Sequence, residues 1–79
     1  MRTAREATER TIQLAELHVA QQEERIERQK RLITSLEVDG HMEMADAARQ
    51  LLTEMAILLA CMQDDLGQAQ ERLIAREGR

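Results

Sequence analysis

A run of apolar residues in the second half of the chain, residues 51–62, limits most strongly what the protein can fold into. Only Thr53 and Glu54 interrupt its apolar character. As a helix it would be about 18 Å long, too short for the roughly 20 residues that cross a membrane. The run does not alternate with a period of two, which excludes a half-buried strand. It therefore predicts a helix that is apolar around much of its circumference and must be covered on more than one side.

Apolar residues repeat every seven positions through the first half. With heptad position a placed at Ile12, four consecutive a positions carry β-branched side chains, as coiled-coil seams do. Thr3 or Thr8 can cap the start of this helix. We predict a first helix over about residues 4–38. The a positions are Ile12, Val19, Ile26 and Ile33, and the d positions are Ala15, Gln22, Gln29 and Leu36.

Two glutamines, Gln22 and Gln29, occupy d positions of this seam. One interpretation is a polar seam that sets the register, because a paired polar group inside a coiled coil specifies alignment at some cost in stability. The other is that both side chains lie at the edge of the seam and reach solvent. The sequence leaves both interpretations open.

Asp39, Gly40 and His41 mark the hairpin turn, predicted at residues 39–42. Glycine after a long periodic run suits the left-handed residue that ends a helix. Helical character resumes at once, and we predict a second helix over about residues 43–77, with Gly78 as its stop. So short a loop makes the helices antiparallel neighbours. The fold class is therefore all-α: a coiled-coil-like two-helix hairpin spanning residues 1–79 as a single domain.

The second helix carries more apolar surface than one partner helix can cover, because its a and d positions through Leu73 are apolar and the g positions Met44, Leu51 and Leu58 add to them. We expect Leu51, Ile57, Leu58 and Cys61 to remain exposed in a lone hairpin. Exposed apolar patches of this kind mark interaction surfaces. The simplest partner is a second copy, giving a homodimeric four-helix bundle; the alternative is a helix of another protein. The expected interface consists of Leu51, Met55, Ile57, Leu58, Cys61 and Met62.

Composition excludes several classes of partner. The net charge is −4 and all of it belongs to residues 39–79, which disfavours electrostatic binding to nucleic acid. The chain has no aromatic residue on which a base could stack. A single Cys and a polar, charged start predict a reducing, cytoplasmic location, with no membrane partner. We therefore expect a protein that binds itself or another helical protein.

No catalytic or cofactor motif stands out in the sequence. There is no glycine-rich phosphate loop and no nucleophile elbow, so we predict no enzyme and no cofactor. The alternative is a metal or haem site built from His18, Cys61 and Met62, whose imidazole, thiolate and thioether suit copper or haem iron. The simpler role for His18 is that of a half-buried spacer beside the seam. The predicted function is a small homo-oligomeric interaction or regulatory module.

A family resemblance rests on residues 18–59. The chain resembles short helical proteins from rhizobial alpha-proteobacteria, which share a His-Val pair, an Arg-x-Ile and Arg-Gln run, and a Gly-His turn. Here the corresponding residues are His18-Val19, Glu24-Arg25-Ile26, Arg28-Gln29 and Gly40-His41. The chain departs from the pattern at Met42-Glu43, where an Asp-Thr pair is usual, and at Met55 and Met62, where an aromatic and a His are common. The resemblance implies a helical hairpin and a bacterial source, and it carries no activity.

Overall fold

A computed structural model describes residues 3–77, except for the side chain of Glu77. Within that range the chain forms two α-helices, α1 (Ala4–Val38) and α2 (Met42–Glu77), which pack against each other as a hairpin. The predicted all-helical hairpin is confirmed. The predicted stop at Gly78 lies outside the described residues. The hairpin is a slab measuring 59 × 20 × 13 Å, so it has two broad faces and two narrow edges.

The start of α1 is capped by a side chain. Thr3 has an extended backbone, and its hydroxyl accepts a hydrogen bond of 3.1 Å from the Glu6 amide. This bond satisfies one of the amides that a helix leaves without an internal partner at its start. Glu6 also places negative charge in the first turn, where the helix dipole favours it. Of the two threonines that could cap α1, the structure uses Thr3.

The turn is closed by a paired set of main-chain hydrogen bonds. The Gly40 amide donates to the Glu37 carbonyl at 3.1 Å, and the His41 amide donates to the Leu36 carbonyl at 2.9 Å. This is a Schellman motif, which needs a left-handed residue, and Gly40 has φ of +79°. The His41 carbonyl then accepts from Ala45 at 2.9 Å as α2 begins. One glycine therefore both ends α1 and reverses the chain.

Arg49 joins the first turns of α2 to the end of α1. Its guanidinium lies 3.2 Å from the Glu37 carboxylate and also contacts Asp46. The hydrogen bond with Asp46, followed by attraction to both carboxylates, raises the pKa of Arg49 despite some opposing desolvation. These groups are exposed, so the ion pairs add little to stability and mainly orient the side chains near the turn.

The seam between the helices is apolar, but few of its side chains are fully buried. The four β-branched a residues of α1 are buried, as are Ala45 and Ala48 of α2. The larger residues of α2 that face them are only half-buried. Among residues 3–77, no large side chain is completely buried. The hairpin therefore leaves much of its own apolar surface in contact with water. The half-buried α2 residues are Leu52, Met55, Leu59, Met62, Leu66 and Leu73.

Candidate interaction surface

Gln22 and Gln29 lie inside the seam and bond across it. The Gln22 side-chain amide donates to the Met55 main-chain carbonyl at 3.1 Å, and Gln29 donates to the Ala48 carbonyl at 3.0 Å. Gln22 is only 4% exposed. The sequence left open whether these side chains bond within the seam or reach solvent. Gln22 bonds within the seam, and Gln29 makes the equivalent bond while part-buried. The donors are seven residues apart, and so are the acceptors, so the heptads of the two helices are in step.

The two broad faces of the slab can be assigned from heptad positions, with a at Ile12 in α1 and at Ala45 in α2. Thr11 and His18, both at g in α1, line one cavity together with Asp65, at g in α2. The g positions of both helices therefore lie on one broad face. Glu37 and Arg49, both at e, pair on the other. We call the first the g/c face, made of the g and c positions of both helices, and the second the e/b face.

The g/c face carries several large exposed apolar side chains. Leu14 and Leu32 on α1 are 52% and 48% exposed, and Leu51 and Leu58 on α2 are 48% and 52% exposed. Cys61 is exposed beside them. Exposed apolar side chains that cluster on one face of a small protein usually mark a binding surface. The apolar members of the g/c face with large side chains are Leu14, Leu32, Met44, Leu51, Leu58 and Cys61.

The e/b face is polar by comparison. Its e positions on α1 are charged throughout, and α2 adds Asp46 and Arg49. Ile74, near the far end of α2, is its one large exposed apolar residue among those described. This contrast makes the hairpin amphipathic from one broad face to the other. The α1 residues at e are Glu9, Glu16, Glu23, Lys30 and Glu37.

The residues expected at the interface are divided among three places. Leu51, Leu58 and Cys61 lie on the g/c face. Met55 and Met62, at d, are half-buried between the two helices. Ile57, at f, lies on the outer narrow edge of α2 and is 60% exposed. As expected for a lone hairpin, Leu51, Ile57, Leu58 and Cys61 are all exposed.

A cavity of about 250 Å³ opens on the g/c face toward the ends of the chain. His18 and Met62 both line it, so the hairpin brings these two side chains to one cavity. Cys61 is exposed and does not line this cavity. Within residues 3–77, no group of three or more His, Cys, Asp or Glu is placed to hold a metal ion. Of the three proposed metal ligands, His18 and Met62 therefore share a cavity that Cys61 does not line. The full lining is Thr11, Ala15, His18, Met62, Asp65, Leu66 and Ala69.

Comparisons with family models, with curated proteins and with solved structures returned no match. The rhizobial resemblance therefore stays a prediction. Within residues 3–77, neither helix has a segment of the length and apolar character that a bilayer crossing requires. The inference about function consequently rests on the surface of the hairpin.

The α1 side of the g/c face was not identified from the sequence. In the sequence pattern Leu14, Leu17 and Leu32 widen the apolar stripe of α1, and all three are exposed in the structure. Leu17, at f, lies on the outer narrow edge, whereas Leu14 and Leu32 lie on the g/c face. The signal that could have found them is a second seven-residue pattern at g and c, parallel to the first. That pattern becomes clear only when the g positions of both helices are known to share a face.

Proposed function

We propose that the protein is a small homo-oligomeric module in which two hairpins associate through their g/c faces as a four-helix bundle. The observation that carries this proposal is the gathering of exposed Leu14, Leu32, Leu51 and Leu58 on one broad face, opposite a charged one. Such a face is what one half of a four-helix bundle presents to the other. We assign it an interaction or regulatory role in a bacterial cytosol, where a single exposed Cys suits reducing conditions.

The dimensions of the slab support a second copy as the partner. A face 59 Å long and 20 Å wide offers enough area for the roughly 800 Å² per partner that a stable interface uses. Full burial of a leucine is worth about 1.5–3 kcal/mol, so covering the exposed half of each contributes about 1 kcal/mol. A two-fold axis brings the same leucines of both copies together, so the interface between them has an apolar centre.

Sedimentation equilibrium of the full chain over micromolar to millimolar concentration tests the proposal. We expect a mass twice that of one chain, falling toward one chain on dilution. Because the chain has no aromatic residue, interference optics must replace absorbance at 280 nm. A monomer throughout this range would overturn self-association. The g/c face would then be assigned to a helix of a different protein, bound in the helix-in-groove manner.

A further inference from the structure

Charges on the g/c face are segregated by helix. Within the described chain, the α1 side carries the basic residues His18, Arg25 and Arg28 and no acid. The α2 side carries the acids Glu54 and Asp65, and its one basic residue, Arg72, lies near the far end. One long side of the apolar face is therefore basic and the other is acidic.

Arg25 and Glu54 lie at nearly the same level along the hairpin. The bond from Gln22 to the Met55 carbonyl marks a common level on the two helices. Arg25 is three residues from Gln22 toward the turn, and Glu54 is one residue from Met55 toward the turn. At 1.5 Å per residue their levels differ by about 3 Å. Both side chains are exposed, and neither has an ion-pair partner among residues 3–77.

Two g/c faces can be stacked about a two-fold axis in two ways. An axis along the hairpin keeps both turns at one end and lays α1 of each copy against α2 of the partner. An axis across the hairpin puts the turns at opposite ends and lays α1 on α1 and α2 on α2. The first stacking brings the basic side against the acidic side. The second, centred on Leu51 and Leu58, sets Glu54 against Glu54 of the partner subunit and the basic side against itself.

Resting on the proposed self-association, we infer that the two copies lie with both turns at the same end, and that Arg25 of each pairs with Glu54 of the partner subunit. The leucines can pack against those of the second copy in either orientation, whereas like charges brought together in an apolar interface are costly. The same stacking also puts Leu32 beside Met44 and Ala47 of the partner subunit, and Leu14 beside the partner's Cys61. The ion pairs therefore select the orientation, and the apolar side chains supply the affinity.

Electron–electron dipolar spectroscopy on a spin label at the turn measures this orientation. The label is attached to His41→Cys in a Cys61→Ala background, after sedimentation has shown that this variant keeps the wild-type dimer. With neighbouring helix axes 8–10 Å apart, the inferred stacking puts the two labels within about 30 Å. The opposite stacking separates them by roughly 40 Å, twice the axial distance from the turn to Glu54. A dimer with the longer distance overturns the inference alone, and a monomer overturns the proposed function.

Charge reversal tests the ion pairs themselves. Arg25→Glu and Glu54→Arg should each weaken the dimer at least tenfold, and the double variant should recover most of the wild-type dissociation constant. Arg31→Glu and Glu71→Arg are matched controls, because both residues are exposed at f on the outer edges. These controls should change the dissociation constant less than twofold. Single reversals at residues 25 and 54 that behave like the controls would show that Arg25 and Glu54 do not pair.

Discussion

Gln22 on α1 donates its side-chain amide to the main-chain carbonyl of Met55 on α2, across a distance of 3.1 Å. As an interior helix residue, Met55 also offers this carbonyl to its own helix, so the bond uses a second lone pair. Gln29 repeats the arrangement one heptad nearer the turn, with Ala48 as acceptor. A slip of α1 along α2 by one residue would break both bonds together. The two glutamines thus fix the alignment that a stripe of aliphatic side chains alone would leave loosely defined.

The first prediction concerns the contribution of the Gln22–Met55 hydrogen bond to the free energy of unfolding. Gln22→Ala should destabilise the protein by about 1–2 kcal/mol, because it removes a hydrogen bond and leaves a gap in the seam. Gln22→Leu should stay within about 1 kcal/mol of wild type, since the Met55 carbonyl keeps its partner in α2 and apolar contact replaces the amide. Urea unfolding followed by circular dichroism at 222 nm measures both. Equal losses for the two variants would contradict this account.

The second prediction extends the glutamine ladder. One heptad before Gln22, the d position is Ala15, and it lines the cavity of about 250 Å³ that Met62 also lines. By the same register, Ala15→Gln should donate to the Met62 carbonyl and fill part of the cavity. We expect a gain of up to about 1 kcal/mol, reduced by the weaker helix propensity of Gln. Thermal unfolding of the variant measures it. Its counterpart on the e/b face, Ala20→Gln, should give no gain.

The third prediction contrasts two glycines. Gly40→Ala should destabilise the hairpin by about 1–2 kcal/mol, because Gly40 has φ of +79° and a β-carbon is strained there. Gly67→Ala should stabilise it by about 1 kcal/mol, because Gly67 lies within α2 and an added β-carbon meets nothing within 4 Å. The midpoints of urea unfolding compare the two directly. Opposite signs are expected, and a loss at Gly67 would show that the backbone there needs glycine.

The fourth prediction locates the dimer interface. Leu58→Glu should give a folded monomer, because Leu58 lies on the g/c face and is already half exposed in the hairpin. A buried, unpaired carboxylate at the centre of the interface is costly enough to prevent association. Ile57→Glu is the matched control: the neighbouring residue is aliphatic and exposed, but it lies on the outer edge. Sedimentation should show a monomer for the first variant and a dimer for the second. The reverse pattern would place the interface on the edge of α2.

The helices were readable from the sequence because their signals are local. The β-branched residues from Ile12 to Ile33 define a seven-residue period, and a single Gly40 interrupts it. The structure begins α1 at Ala4 and α2 at Met42, close to the predicted positions. A hairpin with a short turn also brings residues equidistant from Gly40 near each other, which is why His18 and Met62 line one cavity.

The interaction surface was less predictable because it depends on how the two helices face each other. The apolar arc of α2 covers a, d and g, and the pattern alone does not say which part of that arc the hairpin itself uses. Packing takes Met55 and Met62 into the seam and leaves Leu51 and Leu58 outside it. Arg25 and Glu54 lie 15 and 14 residues from Gly40, so counting alone already brings them to nearly one level. Only the packing of the two helices shows that both lie on the g/c face.

The turn at Gly40 also decides how the protein would respond to mechanical load. Because the chain doubles back there, the start of α1 and the end of α2 lie together, and the Arg76 Nη1 atom is 3.5 Å from the Thr8 Oγ1 atom. A pull on these two ends acts at right angles to the seam, so the helices would peel apart one heptad at a time, starting at Thr8. The contacts between the helices would break one heptad after another, each at low force. The Gly40 end would be the last to open.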